Sequence, residues 1–306
     1  MIQEQRFSPL SQLALLFVFC IAGFVATGLL GLFVGNVMHV DSMKLADELM
    51  KPENVNWNRL LQVLGSFMIM ALPAFLVATL NGGNPVYRIG FNEAISGRQT
   101  LFVVFMVVAG FMVSGALGEL NEMIPLSPST ETYFRQLENE YNKEVLSITN
   151  MKSNFDYIIS LAVLALMPAI FEEMLFRGCL QKIIISLMRN AFAGIFITSI
   201  IFSAIHFSYY GFLPRLFLGL MLGYIFYFSK NIWLNITAHF LNNAYPLTAM
   251  YALSRQGRSS EDVLQETYPL YYGVIGAVIL IFLFMAFKKE SQRVLSYSNA
   301  SDADKL

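Results

Sequence analysis

Long apolar runs alternate with short polar links along most of the chain, and this alternation predicts a bundle of membrane-spanning helices. A run of about 20 apolar residues can cross the hydrocarbon of a bilayer as an α-helix. Eight spans are predicted, at about residues 11–37, 60–80, 101–117, from 157 onward, 191–210, 212–228, 232–251 and 268–287. We therefore expect an all-α polytopic membrane protein in which residues 1–290 form one eight-helix domain and residues 291–306 form a polar C-terminal tail.

Composition supports this class. Hydrophobic residues make up 56% of the 306 residues and charged residues only 13%, whereas soluble domains carry about 25% charged residues. The net charge of −1 argues against nucleic acid as a partner. The first span is too long for a signal-peptide core, so we expect it to be retained. Cys20 and Cys179 lie far apart in apolar surroundings, which favours buried thiols over a disulfide framework or a metal site.

The polar links predict an orientation. With eight spans both termini lie on one side, where the links are short, and the opposite side holds the two longest links and most of the acidic residues. The rule that places positive residues in the cytoplasm is strongest for short links. We therefore expect both termini to be cytoplasmic. The short termini and compact links favour a bacterial cytoplasmic membrane.

One of the long links, residues 119–156, is strongly acidic. Its centre, about residues 129–146, could form a surface helix, because the preceding Ser-Pro-Ser-Thr-Glu sequence at 127–131 is typical of a helix start. A charged segment of this kind is most often a solvated face. A lid or a partner surface is the alternative.

Three charged residues interrupt the fourth apolar run: Glu172, Glu173 and Arg177. Each would cost roughly 2.5–3.5 kcal/mol at the centre of a bilayer, so a charge in a span indicates a functional site by default. Arg177 follows Glu173 by one helical turn, which favours an ion pair on one helix face. Glu172 points about 100° away and is left to accept a proton. Pro168 is expected to disturb the helix just before this motif.

Two of the three histidines also lie in predicted spans. His206 comes one turn after Phe202, and His239 comes one turn before Asn243, whereas His39 lies in a polar link. A carboxylate and an imidazole that converge on one water can remove its proton, which accelerates a reaction roughly 10²–10⁴-fold. A second imidazole and an amide can donate hydrogen bonds to the oxygen that becomes negative, each worth about 3–4 kcal/mol.

Other hydrolytic arrangements are not evident in the sequence. We find no order of serine, histidine and aspartate typical of a triad, and no His-Glu-x-x-His helix. The polar residues in the spans therefore favour hydrolysis of an amide bond by an activated water, without a covalent intermediate.

Three motifs in three separate spans, Glu-Glu-x-x-x-Arg, Phe-x-x-x-His and His-x-x-x-Asn, carry a family resemblance. In order and spacing they are similar to those of the CAAX protease and bacteriocin-processing (CPBP, or Abi) family, which includes the type II CAAX prenyl endopeptidases. The resemblance covers about residues 156–246, which would form the catalytic core. The matching residues are Glu172, Glu173, Arg177, Phe202, His206, His239 and Asn243.

The resemblance implies an intramembrane endopeptidase that cuts a membrane-anchored or lipidated peptide or protein. Glu172 and His206 would activate the water, and His239 and Asn243 would form the oxyanion hole. Glu173, Arg177 and Phe202 would have supporting roles. A mechanism without a metal is favoured, and zinc held by Glu172, His206 and His239 is the alternative, because nitrogen and oxygen ligands with an open position form catalytic zinc sites.

Two other functions compete with proteolysis. A non-catalytic membrane scaffold or bacteriocin-immunity-type protein could use the same polar residues to bind a peptide or a partner. A proton-coupled carrier is also conceivable, but the absence of an evident internal repeat counts against it.

The membrane depths predicted for the candidate catalytic residues do not fit a single proteolytic site well. Along ideal helices of about 1.5 Å per residue, Glu172 would lie near the cytoplasmic end of its helix, His239 about 12 Å inside and His206 nearer 20 Å. A cavity that opens to the cytoplasm is nevertheless expected.

Overall fold

The computed structural model describes residues 6–149, 151, 153–258 and 269–303. Within these residues the regular structure is helical and no strand occurs. Nine helices carry the fold of the described residues: α1 (Pro9–Val37), α2 (Pro52–Leu80), α3 (Gly97–Glu122), α4 (Pro128–Ile148), α5 (Asn154–Met188), α6 (Ala191–Ala204), α7 (Phe212–Ser229), α8 (Ile232–Arg255) and α9 (Leu270–Ala303).

Six helices of the described residues are long and apolar enough to cross a membrane, namely α1, α2, α3, α5, α7 and α9. Helix α6 has 14 residues, which is fewer than a span requires. Helix α8 has 24 residues but carries polar side chains in its interior, among them His239 and Asn243. The prediction of an all-α polytopic membrane protein is confirmed, whereas the count of eight spans stays a prediction.

Some helix boundaries differ from those expected. Helix α6 ends at Ala204, so the fifth predicted span stops several residues before residue 210. The predicted start of the last span, residue 268, lies outside the described residues, and α9 begins at Leu270. Helix α9 also continues through the predicted domain boundary at residue 290 to Ala303. The division into one domain and a tail stays a prediction.

The buried core and the outward-facing helices are clearly separated. Helices α3, α5 and α7 provide most of the buried apolar side chains. Helices α1 and α9, in contrast, expose large apolar side chains, such as Phe24 and Phe33 on α1 and Ile281 and Phe282 on α9. Apolar surface of this extent is expected of helices that contact lipid, so the chain is an integral membrane protein.

Prolines in α2 and α5 are preceded by wide π-helical segments. The segment Phe67–Ala71 comes before Pro73, and the segment Leu161–Leu166 comes before Pro168. A proline removes one hydrogen bond and crowds the preceding turn, and a π-helical turn relieves this conflict without ending the helix. The disturbance predicted at Pro168 therefore takes the form of a wider turn. A further π-helical segment, Met174–Leu180, begins directly after Glu173.

Glycines allow α7 to approach α6 without intervening side chains. A Cβ atom built at Gly219 would lie 2.9 Å from the Cβ of Ser199, and one at Gly223 would lie 2.6 Å from the Cγ2 of Ile195. Small residues at such contacts let helix backbones come close together in membranes. This contact fixes the position of the segment that follows α6, which contains His206.

The start of α1 and the later part of α9 lie at the same end of the bundle. The backbone N–H of Phe7 donates a hydrogen bond to the Asn81 side chain (3.1 Å), after α2. The Ser96 hydroxyl donates to Glu290 (2.8 Å), which joins the start of α3 to α9. We call this end of the bundle the termini end.

Helix α4 lies at the opposite end, where it covers the turn 205–211 between α6 and α7. The ring of Phe134 stacks on Tyr209 at a centroid distance of 4.5 Å. The Ser208 hydroxyl donates to Glu138 (2.7 Å). The helix predicted around residues 129–146 is therefore present, and one of its faces packs on the protein rather than facing solvent only.

Candidate active site

The four residues predicted to be catalytic line one cavity of about 420 Å³: Glu172, His206, His239 and Asn243. A cavity of this size is typical of sites for small molecules or short peptide segments. The depths expected from ideal helices were therefore wrong. Helix α5 continues to Met188, which places Glu172 near its middle. His206 lies beyond the end of α6 in a turn that returns toward the cavity.

Glu173 is the centre of a fully buried hydrogen-bond network. Its Oε1 accepts hydrogen bonds from the Arg177 guanidinium (2.7 Å) and from Nδ1 of His239 (2.9 Å). Its Oε2 accepts a hydrogen bond from the Asn235 amide (3.1 Å). Both carboxylate oxygens are thus occupied, so Glu173 can hold its neighbours but has no oxygen facing the cavity.

Arg177 joins α5 to α7 through this network. Besides its bond to Glu173, its Nη2 donates to the backbone oxygen of Gly219 (3.0 Å). Its guanidinium lies 4.8 Å from the centre of the Phe202 ring, a distance at which a cation is attracted to an aromatic face. The ion pair predicted between Glu173 and Arg177 is therefore confirmed as a contact, and the buried guanidinium charge is balanced by the adjacent carboxylate.

Phe202 contacts both the charged network and the cavity. Its ring lies edge-on to the rings of His206, at a centroid distance of 5.2 Å, and His239, at 5.8 Å. The side chain is buried and also lines the cavity. Its supporting role stays a prediction, but its position explains how one aromatic ring can fix both imidazoles.

Glu172 faces the cavity and differs from its neighbour in hydrogen bonding. Its Oε2 is buried and has no hydrogen-bond partner among the described residues. The nearest ring nitrogen is Nε2 of His239 at 3.7 Å, which is too long for a direct hydrogen bond. A buried carboxylate oxygen without a partner is costly unless a water or a ligand binds it.

The tautomers of both imidazoles follow from their partners. Nδ1 of His206 lies 2.7 Å from the backbone oxygen of Phe202, and Nδ1 of His239 lies 2.9 Å from a Glu173 oxygen. A backbone oxygen and an ionised carboxylate can only accept, so Nδ1 must carry the proton in both rings. Each ring therefore uses Nε2 for any further hydrogen bond.

Asn243 presents its amide from the next turn of α8. Its Oδ1 accepts a hydrogen bond from the Asn242 side chain at 3.3 Å. This contact orients the amide so that the NH₂ group is left to donate. Asn243 thus has the donor that an oxyanion hole requires, one turn from His239 on the same helix face.

Sequence reasoning missed Asn235, although a signal was present. Asn235, His239 and Asn243 follow each other at intervals of four residues on α8 and therefore share one helix face. Asn235 is fully buried and also donates to the backbone oxygen of Leu222 (2.7 Å), so it ties α8 to α7 as well as to Glu173. Polar residues repeated at this spacing in a span could have indicated it.

Two further polar side chains lie on the cavity wall without having been predicted. They are Gln62 of α2 and Arg215 of α7, and each has a buried polar atom without a hydrogen-bond partner. Tyr141 of α4 also lines the cavity, which shows that this helix forms part of the wall. Sequence gave no sign of these positions, because α2, α4 and α7 meet only in the folded bundle.

The tautomers of His206 and His239 suit zinc ligands, but the positions of the potential ligands in the described part of the chain do not form a zinc site. Zinc-bound histidines commonly donate their other ring N–H to a carboxylate or a backbone oxygen, as both rings do here. Among the described residues, however, no three His, Cys, Asp or Glu side chains are grouped so that they could hold a metal ion. The metal-free prediction is not tested by this geometry, and no step below passes through a metal.

Comparisons with known proteins agree with the motifs. Residues 154–245 match the family model described as type II CAAX prenyl endopeptidase Rce1-like. The resemblance to this family is confirmed. The matched residues contain all three motifs and most of the cavity wall formed by α5, α7 and α8.

One curated protein is similar to part of the chain. The uncharacterized protein YpbD of Bacillus subtilis (strain 168) is 34% identical over 107 residues, which are 34% of this chain and 48% of that protein. The chain thus matches about half the length of this relative. No solved structure matches the chain.

Proposed function

We propose that the protein is an intramembrane endopeptidase that hydrolyses a peptide bond of a membrane-anchored or lipidated substrate. The observation that carries the proposal is the unpartnered, buried Oε2 of Glu172 in a cavity that also holds His206, His239 and Asn243. The match of residues 154–245 to a family of peptidases supports the same chemistry.

The charges of the site suit a water-activating carboxylate. When Glu172 is ionised and His239 is protonated, the two carboxylates of the motif are balanced by Arg177 and His239. A protonated His239 donates from Nδ1 to Glu173 and turns its Nε2–H toward Glu172, 3.7 Å away. A water in the cavity can donate one hydrogen bond to the Glu172 carboxylate and a second to Nε2 of His206.

The first step forms a bond between the water oxygen and the carbonyl carbon of the substrate. Glu172 takes the proton that the water loses, and His206 orients the water through its Nε2 lone pair. Negative charge develops on the carbonyl oxygen, where Nε2–H of His239 and the Asn243 amide can donate hydrogen bonds.

The second step breaks the bond between the carbonyl carbon and the amide nitrogen. The proton held by Glu172 moves to this nitrogen as the bond breaks. The new carboxylic acid then passes its own proton to the amine, so that the products leave as a carboxylate and an ammonium group. Glu172 is then ionised again, so the cycle needs no other reactant than water.

The orientation needs one correction to the sequence-based hypothesis. Tyr141 of α4 lines the cavity, so the cavity opens at the α4 end, opposite the termini end. Cytoplasmic termini and a cytoplasmic opening therefore cannot both be true. Because the short, positively charged links containing Arg88, Arg189 and Lys230 lie at the termini end, we propose that the termini are cytoplasmic and that the cavity opens to the outer side.

Cleavage of a lipidated peptide panel by the purified protein tests the activity. Glu172→Gln keeps the size of the side chain but removes the base, so cleavage should fall by about 10²–10⁴-fold. Glu53→Gln, at an exposed position that does not line the cavity, is the matched control and should cleave normally. A Glu172→Gln protein that cleaves at the native rate rules the mechanism out. Partner binding without cleavage by the native protein would favour the scaffold hypothesis.

Metal analysis and orientation complete the test. Activity that survives chelation, in protein without bound zinc, supports the metal-free mechanism. For orientation, a membrane-impermeant thiol reagent should label Thr132→Cys on α4 in intact cells and Gln292→Cys on α9 only after lysis, because both positions are exposed at opposite ends. The reverse pattern would place the cavity on the cytoplasmic side.

A further inference from the structure

Arg215 is a cation in the cavity wall that the proposed reaction does not use. It lies in the first turn of α7, and its Nη1 is buried without a hydrogen-bond partner among the described residues. A buried polar group of this kind is costly when it has no acceptor. The cavity therefore contains an unsatisfied donor as well as the unsatisfied acceptor on Glu172.

The position of Arg215 gives no evident advantage for stability. The N-terminus of a helix carries partial positive charge and favours acidic residues, whereas Arg215 places a cation in the first turn. Its guanidinium lies 5.4 Å from the centre of the Tyr141 ring. An aromatic face attracts a cation but accepts no hydrogen bond in the plane of the guanidinium, so this contact leaves the Nη1 donor unsatisfied.

Arg215 also lies where the catalytic cavity meets a second, outer cleft. This cleft has a volume of about 860 Å³ and is lined by α4 residues, among them Arg135 and Glu138. Arg215 and Tyr141 line both spaces. A substrate that reaches Glu172 from the outer cleft must therefore pass the guanidinium.

The chemistry of the site selects the group that Arg215 would bind. A guanidinium is planar and matches the two oxygens of a carboxylate with parallel hydrogen bonds. Glu172, the acid in the same cavity, has its buried oxygen unpaired and so does not fill this role. Among the described residues, no ion pair joins Arg215 to Glu122 or Glu138, the acids of the outer cleft. The binding partner is therefore expected from outside the chain.

We propose that Arg215 binds a carboxylate of the substrate and thereby determines which peptides are cleaved. This inference rests on the proposed function and adds a specificity residue to it. The carboxylate can be the C-terminus of the substrate or an acidic side chain close to the scissile bond, since both present the same two oxygens.

Cleavage of three matched probes distinguishes these sources. The probes are palmitoylated peptides of one sequence with a free C-terminus, with an amidated C-terminus, and with an amidated C-terminus preceded by a glutamate. The native protein should cleave a carboxylate-bearing probe with a KM about 10–100-fold lower than that of the fully amidated one, as expected for hydrogen bonds to a charged group. Preference for the free C-terminus or for the glutamate identifies the source.

Variants at position 215 test whether this residue is responsible. Arg215→Gln should raise the KM of the carboxylate probe toward that of the amidated probe and so remove the preference between the two probes. Arg215→Lys should give an intermediate value, because it keeps the charge but loses the planar fork. Arg255→Gln, at an exposed position near the end of α8, is the matched control and should retain the native preference.

A binding measurement keeps this inference separate from the proposed reaction. Glu172→Gln protein in nanodiscs should bind the carboxylate probe about 10–100-fold more tightly than the amidated probe, and Arg215→Gln in the same background should abolish the difference. Equal affinity for both probes, or an equal loss for both in Arg215→Gln, overturns the inference. Preferential binding without any cleavage by the native protein would instead refute the proposed reaction alone.

Discussion

Adjacent carboxylates on α5 face two very different surroundings. Glu173 is fully buried, and both of its oxygens accept hydrogen bonds from Arg177, His239 and Asn235. Glu172 faces the cavity, and its Oε2 has no partner among the described residues. The carboxylate of Glu173 is therefore saturated with hydrogen bonds, and that of Glu172 is not.

The difference separates support from chemistry. The network around Glu173 ties α5 to α7 and α8, which fixes the backbone from which Glu172 projects. Glu172, in contrast, keeps a carboxylate oxygen for a water or a substrate. A shift of one residue along a helix turns the side chain by about 100°, and this rotation is enough to give identical side chains different roles.

The largest expected contrast in stability is between Glu173→Gln and Glu172→Gln. Glu173→Gln leaves the Arg177 guanidinium buried without a counter-ion, which should cost about 3–5 kcal/mol in the free energy of unfolding. Glu172→Gln removes a charge that has no hydrogen-bond partner, so stability should fall little or even rise. Thermal unfolding in detergent can be followed with a thiol-reactive dye, since Cys179 is buried and Cys20 is half-buried. Equal melting temperatures for the two variants would contradict the division of roles.

A somewhat smaller effect is expected on the donor side of the cavity. Asn243→Ala removes an amide that can stabilise the oxyanion, so kcat should fall by about 10²–10³-fold, or about 2.7–4 kcal/mol. Asn242→Ala removes only the side chain that orients this amide and should cost less. Kinetics on one lipidated peptide compare the two variants. A larger loss of kcat in Asn242→Ala than in Asn243→Ala would show that Asn243 is not the oxyanion donor.

The smallest expected effect concerns the close contact that positions Arg177. Gly219→Ala places a Cβ 2.9 Å from that of Ser199, so α6 and α7 must move apart, at a cost of about 1–3 kcal/mol. The same change at Gly28 in α1, where a Cβ meets no atom within 4 Å, should be neutral or slightly stabilising. The same unfolding assay measures both. Unchanged stability in Gly219→Ala would show that the bundle absorbs the extra methyl group.

Much of the site could be predicted because its key residues are spaced one helical turn apart in the sequence. The pair Glu173–Arg177 and the succession of His239 and Asn243 are separations of one helical turn, which any helix brings onto one face. The free carboxylate of Glu172 followed from the same geometry. These predictions need only the helix, and the helix is strongly indicated by the apolar runs.

Depth and cavity walls could not be predicted in the same way. Wide π-helical turns around Pro168 and after Glu173, together with the early end of α6, displace residues from the positions that an ideal helix assigns. Arg215 and Tyr141 come from elements that are far apart in sequence, and no periodic pattern connects them to the motifs.

The sequence by itself determined the all-α membrane class of the protein and the residues that share one helix face, because each depends on composition or on spacing within one helix. The tertiary structure decided that Glu172, His206, His239 and Asn243 line one cavity. It also decided that Glu173 is saturated while Glu172 is not, and that the cavity lies beneath α4. These outcomes depend on how closely helices approach each other, as at Gly219, and on which end of the bundle each link occupies. Packing between distant segments sets both, and local sequence patterns carry little information about it.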